Sequence, residues 1–512
     1  DAPQIPVEVF SPDGKYMLVL DVPGFETIVQ ASQPVVGVAG LRINPVNNTT
    51  VSATLGTYKG VKVRDLSKGT EYTLSGLPQD VQISDVKWSS KPGLFAFLNK
   101  SLQDTELWIG DLNNKSVRKV LSKVNDTYGS TFQWNTDGTA ILAKQVISSR
   151  GNVPVENPVP TGPIVQENLG GITPSRTYQY LLENAYDESL MDYYLSAELV
   201  QVDIQGNSKP LGIQGIFKSV SFSPDGKYIL TEKVVKPYSY LVPIYLFPSE
   251  VSVYASAGTK VKDIYTIPLG DKLPISFDAV IEGPRDFEWR KDKDATLVYV
   301  EALDKGNPNT SSEIRDEVFE FEAPFDLSTA KKIYSGTYRV RNIQWGEDAA
   351  IISENWRKDR SSKLTLLNPK NNQVVKVLST RKSEDTYTDP GYFIRNPKGM
   401  LLTDGKGSLF TQGLGASPEG DRPFVMKWNV VNGKQDTLYK SKRGFYEEPV
   451  FFNNSGVVYV SRESAKEAPN VYSINLKNKK EEKITNFVDP YPSIANVQKT
   501  LLSYPRKDGL NL

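Results

Sequence analysis

Along this chain, short apolar runs end on an aromatic residue, break at a polar turn and resume as a second apolar run. The sharpest instance is Phe222-Ser223-Pro224-Asp225-Gly226-Lys227-Tyr228-Ile229-Leu230, repeated almost letter for letter at Phe10-Ser11-Pro12-Asp13-Gly14-Lys15-Tyr16-Met17-Leu18. Pro presets φ for a turn position, Asp bonds its own backbone and Gly accepts positive φ, so each copy reads as a tight β-hairpin. Looser copies lie at Val86-Lys87-Trp88, Phe132-Gln133-Trp134, Phe287-Glu288-Trp289, Ile343-Gln344-Trp345, Phe393-Ile394-Arg395 and Val450-Phe451-Phe452, which makes eight signals in all. Four of the seven tryptophans (Trp88, Trp134, Trp289 and Trp345) occupy one position of the unit, as a packing role shared between neighbouring sheets requires.

Two further strands can be read behind each hairpin. In the second unit they are Glu106-Leu107-Trp108-Ile109 and, after the turn Asn113-Asn114-Lys115, Val117-Arg118-Lys119-Val120; in the last they are Val471-Tyr472-Ser473-Ile474 and Lys483-Ile484-Thr485. Repeated four-stranded units predict an all-β chain folded as a β-propeller of four-stranded blades. Eight blades are favoured, and a seven-bladed ring with one irregular pair is the alternative. A two-sheet sandwich would not repeat one hairpin eight times.

Two stretches break the repeat. Residues 148–196, inside the third unit, begin rich in proline (Pro154, Pro158, Pro160, Pro163) and continue as two short helical patterns, Tyr178-Gln179-Tyr180-Leu181-Leu182 and Leu190-Met191-Asp192-Tyr193-Tyr194-Leu195. Asp187 and Glu188 precede the second pattern, where carboxylates favour a helix start. Residues 236–248 mix Pro with Tyr238, Tyr240 and Tyr245 and predict a rigid aromatic surface or edge packing. Loops of this kind are where binding concentrates, although a folded packing loop is the plainer reading of 148–196.

Composition then removes whole classes of chemistry. Sixty Lys+Arg balance sixty Asp+Glu, so no basic field is present to hold nucleic acid or an anionic membrane. Cysteine and histidine are both absent from the 512 residues, so disulfides, thiol catalysis, His-ligated metal and a Ser-His-Asp triad cannot be assembled from them. No Gly-x-Ser-x-Gly elbow occurs; Gly415-Ala416-Ser417-Pro418-Glu419-Gly420 has the wrong spacing, and Gly37-Val38-Ala39-Gly40 is a lone glycine pair rather than a dinucleotide loop. Charged runs such as Arg357-Lys358-Asp359-Arg360 read as solvated turns. No cofactor or metal is expected. The apolar run around residues 34–43 is too short to span a bilayer, and a chain beginning at Asp1 suggests a removed export signal, with cytoplasm or plastid as the other locations.

Several stretches outside the repeat carry a family resemblance. They are Val22-Pro23-Gly24 leading to Gly40-Leu41-Arg42-Ile43-Asn44-Pro45; Gly162-Pro163-Ile164-Val165-Gln166-Glu167-Asn168; Arg176-Thr177-Tyr178-Gln179; Gly283-Pro284-Arg285 with Trp289-Arg290; and Val300-Glu301-Ala302-Leu303-Asp304. In this order they resemble the prolyl oligopeptidase-type serine peptidases, in particular the glutamyl endopeptidase branch. The tail, Asp489-Pro490-Tyr491-Pro492 and then Thr500-Leu501-Leu502-Ser503-Tyr504-Pro505-Arg506-Lys507-Asp508-Gly509, resembles the connector and first strand leading into that family's α/β-hydrolase domain.

The resemblance implies a propeller over residues 1–487, a connector over 488–512, and a hydrolase domain beyond Leu512 that carries the triad. It also implies peptide substrates admitted past a gating propeller and cleaved after Glu. A basic group would then meet the acidic side chain; Arg176 is the candidate, with Gln166, Glu167 and Asn168 beside it as further substrate-binding candidates. Relatives usually carry some histidine in these segments, and this chain has none. A free-standing propeller serving as a binding or scaffold subunit is the alternative.

Overall fold

The computed structural model describes residues 4–51, 56–157, 177–494, 496–498, 500 and 502–511. The two sharpest hairpin signals fold almost identically. In the first, Ser11 Oγ donates to Asp13 Oδ1 (2.7 Å) and accepts from the Tyr16 amide (2.9 Å), while Gly14 N donates to Ser11 O at φ +70°. In the second, Ser223 Oγ donates to Asp225 Oδ1 (2.6 Å) and accepts from the Tyr228 amide (3.0 Å), with Gly226 at φ +72°. The turn therefore satisfies its own polar groups locally, and Phe10↔Met17 and Phe222↔Ile229 become equivalent pairs in the flanking strands.

Among the described residues six four-stranded sheets follow from such hairpins, each with its strands hydrogen-bonded in chain order. The first comprises Val7–Phe10, Tyr16–Asp21, Gly60–Asp65 and Thr70–Thr73; the second, Ile83–Trp88, Leu94–Lys100, Thr105–Asp111 and Ser116–Leu121. The last comprises Tyr446–Phe452, Val457–Ser464, Glu467–Asn475 and Glu481–Lys483. A seventh sheet has seven strands, from Phe132–Trp134 to Lys260–Ile267. It consists of two four-stranded units that share the fifteen-residue strand Ser208–Phe222. The early part of that strand pairs with Ala197–Asp203 and the later part with Tyr228–Val234, the chain turning at Gly215 (φ +151°). This is a β-propeller.

The repeated tryptophans show which strand lines the middle. Trp88 Nε1 donates to Val9 O (3.3 Å), Trp134 Nε1 to Lys87 O (3.1 Å) and Trp289 Nε1 to Ser221 O (3.2 Å). Each reaches from the first strand of its four-stranded unit to the first strand of the unit before it, the shared strand Ser208–Phe222 being the first of the second unit in the seven-stranded sheet, so the first strands crowd around a common axis. Trp345 departs from this pattern: its buried Nε1 has no partner, and the Arg290 guanidinium lies over its ring at 3.9 Å.

The ring closes through side chains. Phe10 stacks on Phe451 (centroids 5.1 Å apart) and meets Tyr459 at 5.0 Å, over a core of Met17, Val19, Val471 and Ile484. Among the described residues no strand of the last sheet pairs with the first, so apolar burial carries the join. No helix among the described residues is long and apolar enough to cross a membrane.

Candidate functional site

Because successive strands are antiparallel, the hairpin turns leave at one face of the ring. The second-to-third strand connections and the links between sheets leave at the other. Four long connections have their described residues on that second face: those of 22–59 in the first sheet, those of 147–196 and 235–248 in the seven-stranded sheet, and the link 268–283.

The first three of these merge into one cap. Its core joins Val38, Ala39 and Ile43 from the first segment, Leu182, Leu190, Met191, Tyr194 and Leu195 from the second, and Val242, Ile244 and Phe247 from the third, over Ile216 and Val234 of the propeller. The glycine pair at 37 and 40 is its keystone. A Cβ on Gly37 would lie 2.2 Å from Tyr180 Cδ1, and one on Gly40 2.5 Å from Pro243 Cβ. Gly40 N donates to Tyr180 O (2.8 Å) and Ile244 N to Ala39 O (2.9 Å). The helix expected over Tyr178 to Leu182 does not form: Tyr180 adopts φ +58° and its carbonyl is held by this small hairpin. The second helical pattern does form, as Ala185–Leu195, capped by Asn184 Oδ1 accepting from Asp187 N (3.0 Å), with Asp187 and Glu188 in its first turn.

Carboxylates of this helix hold two tyrosines of 235–248. Tyr238 Oη donates to Asp192, Tyr240 Oη to Glu188 (2.7 Å), and Lys236 pairs with Asp192 at 3.3 Å. The hydrogen bond to the Glu188 carboxylate, aided by burial, pushes the Tyr240 phenol up to about 12. Beside the cap opens a cavity of about 500 Å³ lined by Tyr178, Leu241, Tyr245, Ile275 and Phe277, with Asp271 as its charged wall. Phe277 is 78% exposed there, an unusual position for a large apolar ring.

The link bearing Phe277 is pinned by its neighbour Asp278, which is buried. Asp278 Oδ1 accepts from Arg341 Nη2 (2.7 Å), and Oδ2 from the backbone amides of Arg357 (2.8 Å) and Lys358 (3.2 Å). The run 357–360, read from sequence as a solvated turn, thus also clasps a buried carboxylate. Asp278 O accepts from Arg339 Nε (2.9 Å), and Arg339, fully buried, forks onto Asp304 (2.7 and 2.8 Å) and reaches Asp316 (2.8 Å). Arg285 joins Asp316 at 2.6 Å, and Arg315 joins Asp304 at 2.9 Å. Such a network is costly to desolvate and strongly dependent on every partner being present. On the axis-facing strands nearby, Glu288 is solvent-exposed yet enclosed by the ring. That enclosure lifts its pKa to about 7, against the pull of Lys291 and Arg395 and with the push of Asp286. The same desolvation lifts Glu8 to about 7.

The sequence-named candidates Arg176, Gln166, Glu167 and Asn168 lie outside the described residues. What the sequence reading missed is the arginine–aspartate network. Arg285 and Asp304 stand in stretches that carried the family resemblance, but nothing in their spacing announced that Arg339, Asp316 and Asp278 would meet them. Among the described residues no group of three or more Asp or Glu is placed to hold a metal ion.

Fold and face together define a β-propeller capped on one face by three merged segments, and a chain without histidine cannot complete a Ser-His-Asp triad from its own residues. No family model matches the sequence. The whole chain aligns, at 30% identity over 549 aligned residues, with a probable glutamyl endopeptidase, chloroplastic, of Oryza sativa subsp. japonica, and equally with one of Arabidopsis thaliana. It spans 58% and 57% of those two relatives, a little over half their length. Among solved structures, the β-propeller domain of the Trilobed protease from Pyrococcus furiosus is similar with a TM-score of 0.41 and 11% identity, over 80% of this chain and 99% of that one. The chain is therefore related along its entire length to proteins named glutamyl endopeptidases, as the stretches from Val22 to Gly509 suggested.

Proposed function

We propose that this chain is the substrate-gating propeller of a serine peptidase that acts on peptides and cleaves them after Glu. The observation that carries this is the alignment of all 512 residues with just over half of relatives named glutamyl endopeptidase. In this reading the shared strand Ser208–Phe222 separates two blades, so the ring has eight, and the triad belongs to an α/β-hydrolase domain outside these residues. Residues 488–512 are read as the connector and first strand of that domain; the exposure of Val488, Val497, Leu502 and Tyr504 supports a segment that packs against something beyond the propeller. The cap and its cavity gate by admitting extended peptides and excluding folded chains and bulk water.

The relatives' names favour a plastid location over export to a periplasm or cell surface. The absence of histidine from the whole chain favours a second reading, a propeller that serves only as a binding or scaffold subunit. Digestion of a peptide library by the full-length natural protein, with mass-spectrometric mapping of the cuts, separates the two. Cuts after Glu are expected, together with no fluorophosphonate labelling of the 512-residue chain alone. Absence of any cleavage removes the peptidase reading, and labelling of the isolated chain overturns the assignment of catalysis to another domain.

A further inference from the structure

At the mouth of the ring, charge is not balanced. Arg285, Arg315, Arg339, Arg341 and Arg357 gather around Asp278, Asp286, Asp304 and Asp316, five cations to four carboxylates. Arg315 and Arg339 are saturated by the buried aspartates. The other three are not. Arg285 is 6% exposed and its Nη1 is buried with no partner, an arrangement that normally costs stability and therefore asks for an explanation. Arg341 spends Nη2 on Asp278 and remains 35% exposed, and the Arg357 guanidinium lies 5.2 Å from the Phe277 ring centroid, without an ion pair among the described residues. These cations share one locality. Enclosure lowers the Arg341 pKa, Asp278 and Asp316 oppose this, and the like charges of Arg357 and Arg285 add to it.

We infer that Arg341 and Arg357, backed by the unpartnered Nη1 of Arg285, form a carboxylate-recognition site for a peptide at the edge of the Phe277 cavity. Two exposed guanidiniums offer the fork geometry that a carboxylate takes, and the cavity beside them accepts the apolar or aromatic neighbour of the acidic group. The carboxylate comes from an acidic side chain or from the peptide's C-terminus. The inference rests on the peptide-binding reading above and replaces Arg176 as the group that meets the acid.

Fluorescence anisotropy with the 512-residue chain tests it, using three labelled hexapeptides: an amidated one with a single Glu, its amidated Gln counterpart, and the Gln peptide with a free C-terminus. Either carboxylate-bearing peptide is expected to bind about tenfold more tightly than the amidated Gln peptide, the scale of a charge-assisted hydrogen bond. Arg341→Gln and Arg357→Gln should erase that margin while leaving the amidated Gln peptide unaffected. Arg357→Gln breaks no ion pair among the described residues, so it keeps the test readable if Arg341→Gln unfolds. Equal binding of all three peptides, or a margin that survives in Arg357→Gln, overturns the carboxylate site and leaves the peptide reading standing. Failure of all three to bind overturns both.

Discussion

The two faces of the ring are built by different means. On the hairpin face each turn satisfies itself: Ser223 and Asp225 bond one another and the Tyr228 amide within six residues of chain. On the opposite face almost nothing is local. The cap draws its core from three segments spread between Val38 and Phe247, and the Asp278 carboxylate binds groups over sixty residues away. A locally satisfied turn can recur unchanged wherever a blade needs one. A surface assembled from distant parts can be altered in one place without touching the repeat, which suits it to carry specificity.

The contrast can be broken most severely at Arg339. Arg339→Ala would remove the buried cation that Asp304 and Asp316 share, leaving each with one arginine in place of two, and a loss of about 3–5 kcal/mol is expected from chemical denaturation. A loss comparable to that of a surface substitution would mean the network is not the rigid base of this face. Next comes Gly37→Ala, where the new methyl meets the Tyr180 ring. Overpacking of about 1–3 kcal/mol is expected, read as faster amide exchange and proteolysis in residues 177–195 while the far blades keep their protection. Uniform loosening around the ring would instead show the cap and blades to be one cooperative unit.

A finer test compares two tryptophans that occupy the same place in the repeat. Trp134→Phe loses a hydrogen bond to Lys87 O and should cost about 0.5–1.5 kcal/mol more than Trp345→Phe, whose indole nitrogen has no partner. Equal costs would make the inter-sheet hydrogen bond irrelevant and leave only ring packing. The smallest effect is expected from pH. Glu288 has a folded pKa of about 7 against an ordinary 4.5, so the native state holds a proton that the unfolded chain releases between these values. Its contribution is fully present below about pH 4.5 and is lost as pH rises through about 7. Melting temperature should therefore drift down over that window, and Glu288→Gln should flatten part of the drift; an upward drift due to Glu288 would contradict its enclosure.

Much of the scaffold was legible before any coordinates. The hairpin at Phe222, the strand pattern behind it and the shared place of Trp88, Trp134 and Trp289 are local or periodic signals, and the periodicity of a repeat is written in the chain itself. Misreadings fell where contacts are long-range. Tyr178 to Leu182 had helical spacing, but one hydrogen bond from Gly40 and the close approach of Gly37 hold it in another conformation. Gly37 and Gly40 looked unremarkable because their partners, Tyr180 and Pro243, are far away in sequence. The arginine–aspartate network was invisible for the same reason: Arg285 and Asp304 could be picked out as family-like, but their meeting with Arg339 depends on two sheets packing side by side.

By itself, then, the sequence determined a repeated four-stranded unit, an inner strand marked by tryptophan, and a chemistry that lacks histidine and cysteine. Those follow from backbone propensity, side-chain periodicity and composition, which act over a few residues or need no geometry. Only the tertiary structure decided that three interruptions of the repeat fuse into one cap, and that an apolar cavity and exposed arginines share an edge. Those outcomes depend on which face each connection leaves from and on which distant side chains then compete to bury the same surface.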